Sequence, residues 1–172
     1  MTEKLTAGAS LPEITLPRVG GGEVALGGGR DRWQLVVVYR GRHCPICSRY
    51  LAKLEDLREK FGAAGADVVA VSADTAAQGA SAVEDWGLGF DVGYGLDSGE
   101  MRALGLYVSD PRSEAETDHQ FPEPGLFLVN PEGKAHIIDV SNAPFSRPDL
   151  EGIANALGFI QDKGYPIRGT AA

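Results

Sequence analysis

No stretch of this 172-residue chain stays apolar for the roughly 20 residues that a membrane-crossing helix needs. Its opening, MTEKLTAGASLPEITLP, lacks the apolar core of a secretory leader, so a cytoplasmic location is expected. Positive charge is also short: 16 lysines and arginines stand against 24 aspartates and glutamates, for a net charge of −8. A nucleic-acid partner calls for a basic face and is therefore not expected. Histidine occurs only as His43, His119 and His136, at no spacing that completes a tetrahedral metal site. No metal or other cofactor is expected. Internal repeats are missing too. What remains is an ordinary globular composition, 43% hydrophobic and 23% charged, at a length suited to one domain spanning 1–172.

Cysteine is the scarcest of the chemically informative residues. Both copies, Cys44 and Cys47, fall within YRGRHCPIC (39–47). In a reducing compartment a permanent disulfide is disfavoured, and so close a pair points to redox chemistry or to a metal. The plain alternative is two small buried hydrophobes at a strand–helix junction. QLVVVYR (34–40) is a β-branched run that predicts a strand buried on both faces. From Cys44 to Phe61 the spacing turns helical, with Ile46, Tyr50, Leu54, Leu57 and Phe61 on one stripe and Gly62 at the C-terminal cap.

With Cys44 at the N-cap, Pro45 falls at N1, where its missing N–H costs nothing, and Cys47 falls at N3. Side chains at these two positions meet across the first turn, so the sulfurs can bond and part with little backbone movement. The same placement turns Cys44 toward unpaired N–H groups and the positive end of the helix dipole, both of which favour thiolate over thiol. Arg40, Arg42 and His43 add positive charge nearby. On this reading Cys44 attacks and Cys47, deeper toward the apolar stripe, resolves.

DVVAVSA (67–73) predicts a second buried strand, TAAQGASAVEDWG (75–87) a helix in spite of Gly79, and GEMRALGLY (99–107) a short helix. Glycines at 20–22 and 27–29 bracket EVAL as part of an edge hairpin. Residues 108–123, VSDPRSEAETDHQFPE, are acidic and aperiodic and predict a long functional or mobile loop. Glu114, Glu116 and Asp118 read as its solvated face, and His119 as a loop residue for which reach to the site is the less favoured of two readings. GLFLV (125–129), NPEGK and AHIIDV (135–140) predict an antiparallel hairpin. Ser146 and Asp149 resemble a capping box for a last helix carrying Leu150, Ile153, Leu157 and Ile160. Arg147, just before Pro148, reads as structural. Trp33, Trp86 and Tyr107 are expected in the core, and 164–172 as an extended tail. The order β–β–α–β–α–(α)–β–β–α makes an α/β fold, a central mixed sheet with helices on both faces.

LVVVYRGRHCPICSRYLAKLEDL resembles the active-site strand and helix of peroxiredoxin-like proteins of the alkyl hydroperoxide reductase/thiol-specific antioxidant family, within the thioredoxin-fold superfamily. ADVVAVSAD resembles the family's second strand, GLGFDVGYGLDSGEMRALGLY the stretch ending in a tyrosine-containing helix, and EPGLFLVNPEGKAHIID the strand pair that follows. The resemblance implies a thioredoxin-like fold with an N-terminal β-hairpin extension. It also implies a thiol-dependent enzyme that reduces hydroperoxides through a sulfenic acid and an intramolecular disulfide. A thioredoxin- or glutathione-type reductant would restore the thiols, and a homodimer is implied. The family pattern P-x-x-x-T/S-x-x-C lays its attacking cysteine on Cys47, with Cys44 in the threonine's place and Arg40 in the proline's. Thioredoxin-type C-x-x-C proteins use the first cysteine, here Cys44. Both assignments stay open. So do a thiol–disulfide oxidoreductase acting on protein disulfides and a redox sensor of little turnover. Pro124 matches the cis-proline that precedes the strand beside a thioredoxin dithiol, and Arg40 and His43 are the implied thiolate- and substrate-stabilising groups.

Overall fold

In a computed structural model describing residues 3–171, the chain runs through nine strands and four helices. They are β1 (Ile14–Pro17), β2 (Glu23–Leu26), β3 (Trp33–Val38), α1 (Pro45–Ala63), β4 (Ala66–Val71), α2 (Ala76–Trp86) and β5 (Asp91–Gly93). The second half holds α3 (Ser98–Ala103), β6 (Val108–Ser109), β7 (Phe121–Pro122), β8 (Gly125–Val129), β9 (Ala135–Val140) and α4 (Leu150–Lys163). Five strands form the central sheet in the order β5-β4-β3-β8-β9. The first three are parallel, β8 is antiparallel to β3, and β9 is antiparallel to β8. The β1–β2 and β6–β7 pairs lie outside it.

The valine-rich run places β3 at the centre because it has an apolar face to offer on each side. Leu35, Val37 and Tyr39 pack with Leu51, Leu54 and Phe61 of α1 and Leu157 of α4. Val36 and Val38 pack on the opposite face with Leu16, Val24 and Leu26 of the hairpin and Met101 of α3. Each such side chain, moved from water to the interior, contributes about 1.5–3 kcal/mol. The sheet is thus clamped from both sides around β3, and the chain leaving β3 starts from a rigid support. No helix among the described residues is long and apolar enough to cross a membrane.

The α/β fold with a mixed central sheet matches the expectation, and several boundaries do not. α1 continues to Ala63, and Gly65, at φ +97°, makes the left-handed turn that Gly62 was expected to make. Its most buried line is Cys47, Leu51, Leu54 and Phe61; Ile46, Tyr50 and Leu57 lie beside it, half-buried. Gly79 sits inside α2 because a Cβ there would meet Val19 Cγ2 at 3.0 Å, so the missing side chain lets the turn between β1 and β2 come close. α3 is shorter than the 99–107 expectation. The N-cap of α4 is Asp149, whose carboxylate accepts the Gly152 N–H at 2.9 Å, and not Ser146. Pro148 disfavours a helical conformation at Arg147, so the helix cannot begin earlier. Tyr107 is 43% exposed, with Lys4 Nζ 3.4 Å from its ring centroid, and Trp33 and Trp86 are half-buried; none is a full core residue. The short strands β5, β6 and β7 carry too few residues to show a period.

Candidate active site

Strand direction gathers the site at one edge of the sheet. β3 and β4 are parallel, so the segments that follow them, with Arg40 and Asp74, emerge together. β8 runs the other way, and the residues before it, Phe121 to Pro124, arrive at that edge; Val38 is paired with Gly125. Two antiparallel steps return β9 to the direction of β3, so the segment after it, with Arg147, opens there too. This edge, at the carboxyl ends of the parallel strands, is where open α/β sheets place their sites.

The turn from β3 into α1 is held by Asp74, a buried carboxylate. Its two oxygens accept the Arg42 backbone N–H at 3.1 and 3.0 Å. Burial pushes the Asp74 acid above the ordinary carboxylate range, and the Arg42 N–H bonds oppose that. Gly41 has φ +144°, and a Cβ there would stand 2.7 Å from Asp74 Oδ1, so this tight turn needs glycine.

Cys44 is the N-cap of α1 with Pro45 at its start, and its Sγ accepts the Cys47 N–H at 3.3 Å. Both cysteines are free, they approach to 2.7 Å, and they are 1% and 0% exposed. Their environments pull them apart. The Cys47 S–H donating to Cys44, the Cys47 N–H and the Arg40 guanidinium outweigh burial and bring the Cys44 thiol down to about 5. Burial, then the bond it donates to Cys44, push Cys47 well above the usual thiol range. One proton is shared across the pair, and it rests on Cys47.

Arg40 is the hub on the outer side. Its positive charge acts on the Cys44 sulfur, its Nε lies 2.9 Å from Glu123 Oε2, and its Nη2 lies 3.8 Å from Glu116 Oε1. The Glu123 contact is a close ion pair rather than an aligned hydrogen bond, because neither atom meets its partner along a bonding direction. Burial works against the arginine's charge, but the sulfur and Glu123 hold it above its ordinary value. Its guanidinium lies 4.9 Å from the Phe121 ring. His43 meets the same ring edge-on at 4.7 Å, and its buried Nε2 has no partner. Burial, reinforced by Arg40, lowers the His43 pKa, so the imidazole is neutral at pH 7.

The other expected residues fall elsewhere. Arg42 turns outward to Asp85 at 2.5 Å. His119 bonds Asp118 at 2.8 Å and makes no hydrogen bond to the dithiol. Among the described residues no peptide bond is cis, which corrects the expectation for Pro124. Pro124 is buried, its carbonyl accepts the Ser141 N–H at 3.0 Å, and it lines a small cleft with Tyr50 and Arg147.

Arg147, read from sequence as structural, is the residue that was missed. Its Nη2 donates to Cys47 Sγ at 3.0 Å, its Nε donates to the Pro144 carbonyl at 2.6 Å, and its guanidinium lies 4.9 Å from the Tyr50 ring. Tyr50 Oη in turn donates to the Pro148 carbonyl at 2.7 Å, which ties the segment before α4 to α1. Each sulfur therefore has its own arginine, Arg40 at Cys44 and Arg147 at Cys47.

A buried dithiol at the amino end of the first long helix, on this sheet order, defines a thioredoxin-fold redox protein of the peroxiredoxin kind. The AhpC/TSA family pattern matches residues 7–137, and the chain belongs to that family of thiol-dependent oxidoreductases. Two Mycobacterium tuberculosis sequences with peroxiredoxin in their names are 31% identical over 106 residues, 62% of this chain and 68% of theirs. The fold is shared with a peroxiredoxin-like protein from Aquifex aeolicus at a TM-score of 0.77 and 18% identity, covering 92% of this chain and 89% of that one. It is shared also with Mycobacterium tuberculosis peroxidoxin BcpB, at 0.72 and 17%, covering 90% and 97%.

Proposed function

We propose that this protein is a thiol peroxidase in which Cys44 attacks the peroxide and Cys47 resolves. The observation that carries the reading is that Cys44 Sγ accepts the Cys47 N–H at the helix N-cap, which with the neighbouring charge draws its pKa down, while burial leaves Cys47 protonated in the core. The peroxiredoxin register favours Cys47 as the attacking thiol, but a fully buried, protonated sulfur is the poorer nucleophile.

In the first step the Cys44 thiolate attacks the distal peroxide oxygen. The O–O bond breaks, Cys44 becomes a sulfenic acid, and the departing oxygen leaves as water or alcohol after taking a proton from solvent. Arg40, whose charge lowers the Cys44 pKa, stabilises the thiolate and then the charge on the departing oxygen. Neutral His43 and Phe121 wall the approach. In the second step Cys47 loses its proton, its sulfur attacks that of Cys44, and hydroxide leaves with that proton as water. Arg147, already donating to Cys47 Sγ, stabilises the resolving thiolate. Pro124 closes the cleft beside it. An external thioredoxin- or glutathione-type thiol then reduces the disulfide.

Single-turnover mixing with one equivalent of hydrogen peroxide tests both halves. Two phases are expected, loss of the Cys44 thiolate and then closure of the disulfide. Arg147→Gln should slow the second by about 10- to 100-fold, the worth of a charge-assisted hydrogen bond, with a smaller effect on the first. Peroxide consumption no faster than by free cysteine would end the peroxidase reading. Equal slowing of both phases would end the role given to Arg147.

A further inference from the structure

We infer that residues 110–120 form a latched cover over the dithiol, and that the Arg40–Glu116 ion pair sets the size of substrate that reaches Cys44. The inference rests on Cys44 being the attacking thiol. Both cysteines are sealed, at 1% and 0% exposed, and surface depressions of 680 and 510 Å³ are lined by neither.

What closes the approach is the acidic loop. Val108 pairs with Pro122 and Ser109 with Phe121, which fixes both ends of the excursion. Phe121 is buried beneath Arg40 and against His43, the neighbours of Cys44. Ser109 Oγ donates to Glu123 Oε1 at 2.8 Å, and the other oxygen of Glu123 faces Arg40. These base contacts are short and buried.

Glu116, near the loop's tip, differs in kind. Its carboxylate reaches back to Arg40 at 3.8 Å, beyond hydrogen-bonding distance, and its second partner is the exposed Arg112. The Glu116 side chain is 6% exposed, and the Arg112 that holds it from outside is 88% exposed. Arg40 is thus shared among a sulfur and two carboxylates, and the Glu116 contact is the longest of its two ion pairs. At 3.8 Å this contact gains less than the 2.9 Å pair with Glu123, so the tip opens while the base stays in place. Hydrogen peroxide passes the closed cover, whereas a bulky organic hydroperoxide waits for Glu116 to let go.

The test uses the full chain, as wild type, Glu116→Gln and Arg112→Gln. Cys44 is alkylated at fixed pH with iodoacetamide and separately with fluorescein maleimide, and labelling is read by peptide mapping. Hydrogen peroxide and cumene hydroperoxide reduction are followed in parallel. Cutting the latch also changes how Arg40 holds the thiolate, which alters the rates with small and large reagents by the same factor. The bulky-to-small ratio isolates the cover. That ratio should rise about two- to fivefold in both variants, for alkylation and for peroxides alike. An unchanged ratio in both variants overturns the cover. Alkylation does not depend on turnover, so a raised alkylation ratio in a protein inert to peroxides upholds the cover and sinks the peroxidase reading.

Discussion

Cys44→Ser is expected to abolish peroxide reduction, by about a thousandfold or more, while Cys47→Ser keeps the first oxidation and loses sustained turnover. The asymmetry follows from where the negative charge rests. Cys44 carries it at the helix N-cap, fed by the Cys47 backbone N–H and by Arg40, and a serine oxygen there stays protonated and unreactive. Cys47 is buried and protonated, so its loss removes the resolving sulfur and leaves a sulfenic acid stranded on Cys44. A dimedone adduct on Cys44 in peroxide-treated Cys47→Ser is the corresponding signature. If Cys47→Ser were inert and Cys44→Ser still reacted, the peroxiredoxin register would be right and Cys47 would be the nucleophile. If neither thiol reacted with peroxide and Cys47→Ser trapped mixed disulfides through Cys44, the protein would be a disulfide oxidoreductase.

Arg40→Met carries the second large effect, on stability as well as chemistry. Glu123 is 5% exposed at its side chain and Arg40 is 16%, so removing the guanidinium leaves a carboxylate in the interior with only Ser109 to hold it. Orphaning one member of such a pair costs about 3–5 kcal/mol. The same change takes a positive charge from beside the Cys44 sulfur, so the thiol's acidity should fall along with its rate at neutral pH. Adding Glu123→Gln to Arg40→Met should recover much of the stability and none of the acidity. Denaturant midpoints and the ultraviolet absorbance of the thiolate separate the two. A double variant no more stable than the single one would show that Glu123 is not the group left stranded.

The helical start at Cys44–Pro45 was legible because it depends on residues adjacent in the chain. The N-cap, the proline in the first turn and the meeting of N-cap with N3 all lie within one turn of backbone. The hairpin of β8 and β9 and the valine run of β3 were legible for the same reason. Arg147 was not, because its contact with Cys47 spans 100 residues and depends on β9 running in the direction of β3. One signal was available: a hairpin following β3 brings the segment after its second strand back to the edge where β3 ends, so the arginine of APFSRPD was a candidate on topology alone. Glu116 was read as part of a solvated acidic loop, and Glu123 was given no role, since composition cannot reveal that β6 and β7 fold that loop back onto Arg40. The expectation of a cis-proline at Pro124 came from resemblance and not from any local feature, and the backbone does not carry it.

The lowered pKa of Cys44 also sets a pH dependence. A thiol whose folded pKa lies below its unfolded value near 8.5 adds stability that is complete above the unfolded value, shrinks as pH falls, and is gone below about 5. The most direct measurement is the rate of Cys44 alkylation by iodoacetamide in the reduced protein from pH 4 to 10. An anionic sulfur at the helix start gives a rate that falls away with a midpoint near 5 and is flat from about 6.5 to 8.5. A rate that keeps climbing to a midpoint near 8.5, as for cysteine free in solution, would mean that the helix end and Arg40 do not hold the charge.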